Sequence, residues 1–155
     1  MALPAAPAHL VRLSRRADFE RVLGAGASAI AARSPHFVLH HLPVGAKLST
    51  GGEPEVAPLV DVSAVTARTL AVGVVIPKRW ARRAVTRNVL KRQMYAAFAR
   101  HAPALPGGMW VARLRAAFDP EQFPSADSTA LRRAVRAEAE ALMNAAARRG
   151  AGRAA

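Results

Sequence analysis

The feature that most constrains the fold is an uninterrupted apolar run over residues 70–76, which Pro77 ends at once. Such a run without a polar side chain predicts a β-strand that is covered on both faces, and therefore a central strand of a sheet. Beyond Pro77 the spacing of the apolar residues changes, and between 84 and 101 it follows the helical period. The residues of this stripe are Leu90, Met94, Ala97 and Phe98. The chain is therefore expected to pack an amphipathic helix against a sheet.

Weaker signals on either side of this pair complete the order of elements. They predict a helix that Ser14 caps and Gly24 ends, strands over 37–42 and 109–114, and a last helix capped by Asp127 or Ser128. The resulting order is α-β-β-α-β-α. This order favours a small α+β sandwich, with a central sheet and helices mostly on one of its faces.

The chain is expected to form one domain over residues 12–148. Residues 1–11 are predicted to be a disordered lead-in, and residues 149–155 a disordered tail. Residues 43–68 are punctuated by glycine and proline, which predicts a long flexible loop. Within that loop, residues 59–65 are compatible with a short extra strand.

The charge of the chain indicates a polyanionic partner. It has 23 Lys and Arg against 10 Asp and Glu, a net charge of +13 at pH 7. The absence of cysteine excludes disulfides, a thiol nucleophile and cysteine-ligated metal. No apolar run approaches the ~20 residues that span a bilayer, and no secretory signal opens the chain, so we expect a cytoplasmic protein without a membrane partner.

The positive charge is concentrated in one segment. No acidic residue occurs between Asp61 and Asp119, whereas ordinary solvated surfaces mix both signs. Arginine forks held on a helix suit contacts with successive phosphates, and the start of a helix attracts anions. A merely solubilising surface is the alternative reading of this run. The residues predicted to bind RNA are Lys78, Arg79, Arg82, Arg83, Arg87, Asn88, Lys91 and Arg92.

This segment resembles the signature of the protein subunit of bacterial ribonuclease P. In that family a Lys-Lys or Lys-Arg pair ends a strand, and a helix with the pattern Arg-Asn-Arg-x-x-Lys-Arg follows. Lys78-Arg79 match the pair, and Val89 stands where the pattern often has its second arginine. Segments 12–13, 18–22, 37–40 and 110–113 are also similar to the family, so the resemblance covers roughly residues 12–148.

The resemblance implies a protein cofactor for a catalytic RNA, an M1-type RNA that removes the 5′ leader of precursor tRNA with bound Mg²⁺. The protein itself would hold no metal and no catalytic residue, would be inactive alone and would need no other protein partner. The implied fold is ribosomal protein S5 domain 2-like, with a left-handed βαβ crossover. The implied leader-binding cleft contains Phe19, Leu23, Val38 and His40.

Two other functional classes share parts of the pattern. A ribosomal-protein-like module would use the same basic helix on structured RNA, but it would not need a cleft. A protein that binds a membrane surface or another polyanion would need an exposed apolar helix face. Single residues are open to two readings as well. Phe19 is a cleft or a core residue, Trp80 stacks on a base or covers the core edge, and the histidines at 36, 40 and 41 are surface groups or zinc ligands.

Overall fold

The computed structural model describes residues 9–43, 69–125 and 128–154. The predicted loop over 43–68 lies outside these residues, except for Pro43, and the short strand over 59–65 lies outside them entirely. The described elements are β1 His9–Arg12, α1 Arg16–Gly24, β2 Ile30–Arg33, β3 Phe37–Pro43, β4 Thr69–Val75, α2 Ala84–His101, β5 Gly108–Leu114 and α3 Thr129–Ala154.

The strands form one five-stranded sheet in the order β1-β4-β5-β3-β2. The predicted central strand is confirmed: β4 pairs in parallel with β1 on one side and with β5 on the other. β3 pairs antiparallel with β5 and with the edge strand β2. Helix α2 is the connection between the parallel strands β4 and β5. The hand of this crossover stays a prediction of the resemblance.

Two strands depart from the sequence prediction. Residues 9–11 were expected in a disordered lead-in, but β1 extends from His9 to Arg12 and pairs with β4. The strand β2 was not predicted at all. Both strands have four residues, and half of β2 is alanine, so neither carries a period or a strong β propensity of its own. Pairing with a longer neighbour supplies their backbone hydrogen bonds.

The helix ends also differ from the prediction. Arg15, and not Ser14, is the N-cap residue of α1, and no side chain caps that helix. The Ser128 cap is confirmed, because the backbone N–H of Leu131 donates to Ser128 Oγ at 3.0 Å. The tail was predicted to begin at 149, but α3 continues to Ala154. Residues 145–154 are mostly alanine and arginine, which extend a helix readily.

The helices cover both faces of the sheet. The predicted stripe of α2 is buried together with α3 on one face, where Trp110 is 1% exposed. On the other face Val22 of α1 packs on Ala71 and Val111. The expectation of helices mostly on one face is confirmed, with α1 as the exception. None of the described helices is both long and apolar enough to cross a bilayer.

Candidate nucleic-acid interface

The first candidate surface is the outer side of α2 and the turn before it. We name its exposed residues the basic arc: Arg82, Arg83, Asn88, Lys91 and Arg92. Asn88, Lys91 and Arg92 lie on α2 outside its buried stripe, and Arg82 and Arg83 lie in the turn before the helix. A rise of 1.5 Å per residue places the Cα atoms of Arg83 and Arg92 about 14 Å apart. Lys78 and Arg79 are exposed in the turn that follows β4.

Arg87 has a different role from its neighbours. It is half-buried, and its Nη1 donates to the carbonyl oxygens of Ala81 at 3.0 Å and Arg82 at 2.8 Å. These carbonyls belong to the turn that leads into α2. The guanidinium of Arg87 therefore braces the backbone that carries Arg82 and Arg83, a positioning role that its predicted phosphate contact did not include.

Val89, the residue that departs from the family signature, is accommodated by packing. Its side chain is 7% exposed and belongs to the core between α2 and the sheet. The valine at this position therefore contributes to packing and not to the basic arc. Asn88, just before it, and Lys91, two residues after it, remain exposed.

The second candidate surface is the face of the sheet that carries α1. Strand register places the side chains of this face in rows across β4, β5 and β3. One row consists of Gly73, Val111 and His40. The next row consists of Val75, Arg113 and Val38, all half-buried. We name this second row the cleft floor. It continues onto β2, because Arg33 pairs with Val38.

Phe19 connects α1 to the first row. Its ring lies on the backbone of Gly73, and a Cβ atom at that glycine would come within 2.3 Å of Phe19 Cε1. The ring also packs with the small core of Val22, Ala71 and Val111, although Phe19 itself is only half-buried. Both readings from the sequence therefore apply to Phe19, since one part of the ring is packed and another part faces an open groove.

That groove has a volume of about 380 Å³, and its lining includes Phe19, Val75 and Lys91. Ser14 and Arg16, which precede and begin α1, line it as well. Lys91 belongs to the basic arc, whereas Val75 belongs to the cleft floor. The two candidate surfaces are therefore contiguous at this point, and a single RNA-binding surface can extend from one to the other.

His40 is the unusual polar group of the cleft. Its side chain is 8% exposed, and Nδ1 is a buried atom without a hydrogen-bond partner within the described part of the chain. Burial lowers the pKa of His40 from its ordinary value, and the positive charges of Arg113 and Arg33 lower the pKa further. The imidazole is therefore neutral at pH 7, and its unpartnered Nδ1 is closed off from solvent.

Leu23 completes the predicted cleft residues. It is half-buried and packs against the core under α1, with Val22 as its neighbour in sequence. Leu23 therefore holds α1 on the sheet. The four predicted cleft residues thus lie on one face of the sheet, with Leu23 in a packing role.

Sequence reasoning missed Arg113 and Arg33 as residues of this cleft. Arg113 occurs in an apolar strand, on the face opposite Trp110 and Leu114, and this alternation was the signal that pointed to it. Arg33 could not be placed without β2. Arg12 is not part of this cleft, because it pairs with Val72 on the opposite face, where its guanidinium lies 4.0 Å from the ring centroid of Tyr95 on α2.

The remaining histidines of the 36–41 segment have structural roles. His36 Nδ1 lies 2.7 Å from Glu138 Oε1, and its ring stacks on Phe118. The ring of His41 stacks on Trp110 with centroids 4.0 Å apart. In residues 9–43, 69–125 and 128–154 no group of three or more His, Asp or Glu side chains could hold a metal ion.

Comparison with known proteins identifies the family. The family model described as Ribonuclease P matches residues 8–138. This chain belongs to the ribonuclease P protein family. It is 47% identical over 70 residues to the ribonuclease P protein component of Bordetella parapertussis, which covers 45% of this chain and 53% of that protein. It is 40% identical over 83 residues to the component from Paraburkholderia xenovorans, covering 54% and 60%. The matches thus span between half and two thirds of the relatives' length.

A solved structure supports the fold of the family member described here. The ribonuclease P protein of Staphylococcus aureus superposes with a TM-score of 0.53 at 17% identity. The superposition covers 86% of this chain and 92% of that chain. The likeness therefore extends over most of both chains and supports the α+β fold.

Proposed function

We propose that this chain is the protein subunit of ribonuclease P, which binds a catalytic RNA and the 5′ leader of precursor tRNA. The observation that carries the proposal is the contact between two different surfaces at one groove. The basic arc offers positive charge and no aromatic ring. The cleft combines an aromatic ring, a neutral histidine and one arginine. A folded catalytic RNA presents mainly its phosphates, whereas a single-stranded leader also presents unpaired bases.

The basic arc is suited to the folded RNA. Duplex RNA presents phosphates at regular spacing and hides most of its base edges, so a rigid helix with several cations binds it through the backbone. The brace from Arg87 keeps Arg82 and Arg83 in place before the helix starts. Affinity through such contacts decreases steeply as salt increases.

The cleft is suited to a single strand. Unpaired bases stack on aromatic side chains, and Phe19 offers the open part of its ring to the groove. His40 lies in the same row as Gly73 and adds no charge to the cleft, and its buried Nδ1 would reach a base or a 2′-hydroxyl only after the side chain turns outward. Arg113 on the cleft floor would contact a leader phosphate. Lys91 would direct the strand toward the basic arc.

Cleavage itself is assigned to the RNA, and Mg²⁺ enters through the RNA subunit. The described acids of α1 are paired with arginines, Glu20 with Arg16 at 2.8 Å and Asp18 with Arg21 at 3.7 Å. Glu138 and Glu140 are engaged with His36 and with Arg100 and His101 respectively. The chain would act in the cytoplasm as half of a ribonucleoprotein, by holding the leader and strengthening substrate binding.

Reconstitution tests this proposal. The full chain is mixed with a bacterial catalytic RNA and precursor tRNA at low Mg²⁺, and release of the 5′ leader is measured against RNA alone and protein alone. The proposal expects leader release only when both subunits are present. A ribosomal-protein-like module would bind the RNA without stimulating release. A membrane-surface protein would bind anionic vesicles and leave the reaction unchanged.

A further inference from the structure

A second cavity lies at the start of α2, on the face of the sheet opposite the leader cleft. It is enclosed between the turn that follows β4 and the loop that leads to α3, and its volume is about 300 Å³. Its lining includes three arginines and three aromatic rings: Arg79, Arg82, Arg83, Trp80, Phe118 and Phe123. We name it the aromatic pocket. The cleft residues on the other face of the sheet have no part in it.

The aromatic rings of the pocket are held in fixed orientations. Phe118 stacks on His36 with centroids 3.9 Å apart and planes 11° from parallel. Phe123 meets Phe118 edge-on, with centroids 5.9 Å apart and planes at 74°. Trp80 packs against the main core, and all three rings remain half-buried. Ring surface is therefore available to an aromatic ligand without rearrangement of the core.

The charges around the pocket favour an anion. Arg82 and Arg83 are exposed at its rim, and the guanidinium of Arg79 lies 5.3 Å from the Trp80 ring centroid. Asp119 and Glu121 occur in the adjacent loop, but neither lines the pocket. Asp119 Oδ1 instead accepts a hydrogen bond from the backbone N–H of Glu121 at 2.9 Å. The rim is thus cationic around an aromatic interior.

We propose that the aromatic pocket captures one unpaired base of the bound RNA, with the flanking phosphates on Arg82 and Arg83. Proteins recognise RNA mainly at unpaired bases, which stack on aromatic rings and guanidinium planes. A volume of about 300 Å³ is at the lower end for small-molecule sites, so the pocket accepts one base and no more. The inference rests on the proposed function in that RNA is the partner, and it adds a site that reads an extruded base.

The test uses the full chain and two short RNA duplexes, one fully paired and one with a single bulged nucleotide. Affinities for both are measured for the native chain, for Trp80→Leu and for Phe123→Leu. The leucine variants keep an apolar side chain but remove the stacking surface. Val85→Ala serves as the control, because Val85 is an exposed residue of α2 outside the pocket. Melting curves are recorded for every variant.

The native chain is expected to bind the bulged duplex about five- to a hundredfold more tightly than the paired duplex. Trp80→Leu and Phe123→Leu should bring this ratio close to one and leave affinity for the paired duplex within about twofold, whereas Val85→Ala should keep the ratio. Equal affinity of the native chain for both duplexes overturns the inference, and so does a ratio that survives in both leucine variants.

A readout on the native chain covers the case in which a leucine variant does not fold. Trp80 and Trp110 are the two tryptophans, and Trp110 is 1% exposed. Stacking of a base on Trp80 should quench the fluorescence of this tryptophan when the bulged duplex is added. The paired duplex should not produce this quenching. Absence of that difference overturns the inference. Failure to bind either duplex would contradict RNA binding as a whole, and leader release by the reconstituted enzyme reports on that separately.

Discussion

The ring of Phe19 rests directly on Gly73, where a Cβ atom would lie 2.3 Å from Cε1 and 2.6 Å from Cζ. Gly73 shares its row with Val111 and His40, so the ring lies at the edge of the cleft floor. Because Gly73 has no side chain, the Phe19 ring lies directly on the backbone of β4. The glycine therefore determines how far the ring stands above the sheet at the groove. This relationship links the packing of α1 to the proposed contact with the leader.

Gly73→Ala should displace the Phe19 ring and weaken binding of precursor tRNA by about five- to a hundredfold in the assembled enzyme, because a stacked base is lost. Binding of mature tRNA should remain within about twofold. Gly24→Ala is the matched control, since a Cβ atom there meets nothing within 4 Å. Equilibrium binding of both tRNAs checks this. A normal precursor affinity in Gly73→Ala would show that the ring is not a contact.

Substitutions of Arg87 and Arg92 should distinguish a residue that positions the turn from one that contacts RNA. Arg87→Ala removes two hydrogen bonds to the turn, which is worth about 1–2 kcal/mol at a half-buried site. A chain of this size should then lose about 2–8 °C in Tm. Arg92→Ala should leave the Tm within about 2 °C and reduce the salt slope of RNA binding by about one. Thermal melts and salt titrations check the pair. Equal melting temperatures would contradict the bracing role.

The sequence predicted the elements that have a strong period and missed those that depend on a neighbour. The apolar run of β4 and the stripe of α2 each contain enough residues to show burial directly. β1 and β2 become strands because longer neighbours supply pairing partners: β4, far along the chain, pairs with β1, and β3, which follows directly, pairs with β2. Such pairing leaves no pattern in a segment of four residues.

The candidate site shows the same division. The exposure of Asn88, Lys91 and Arg92 follows from helical spacing alone, and so does the burial of Leu90. The position of Arg113 beside Val38 depends on the register between β5 and β3, which no local signal carries. The brace from Arg87 depends on the path of the turn before α2 and could not be read from the sequence.

Arg113 should contribute to leader binding through charge. Arg113→Gln should weaken precursor binding about fivefold to thirtyfold, on the order of 1–2 kcal/mol for one charged contact, and lower the salt slope by about one. Arg136→Gln is the control, because Arg136 is exposed on α3 at the opposite face of the sheet. Precursor affinity is measured over a range of salt concentrations. Identical salt slopes for Arg113→Gln and the native chain would exclude the contact.

His40 should make stability depend on pH in a defined window. Its folded pKa lies below the unfolded value of 6.5, so the unfolded chain binds more protons below that pH. The free energy of unfolding should therefore decrease as the pH falls below 6.5 and through the folded pKa, by at most about 1.4 kcal/mol per pH unit. His40→Gln should lose this component, as denaturant titrations at several pH values would reveal. An unchanged pH profile in the variant would contradict the burial of a neutral imidazole.

The central claim is that the basic arc binds the catalytic RNA and the Phe19 cleft binds the leader. The most direct test compares the double variant Arg83→Gln/Arg92→Gln with Phe19→Leu in two assays: affinity for the catalytic RNA, and the ratio of precursor to mature tRNA affinity in the assembled enzyme. The account predicts that the double variant weakens assembly and nearly preserves the ratio, whereas Phe19→Leu preserves assembly and brings the ratio toward one. Parallel losses in both assays for both variants would contradict it.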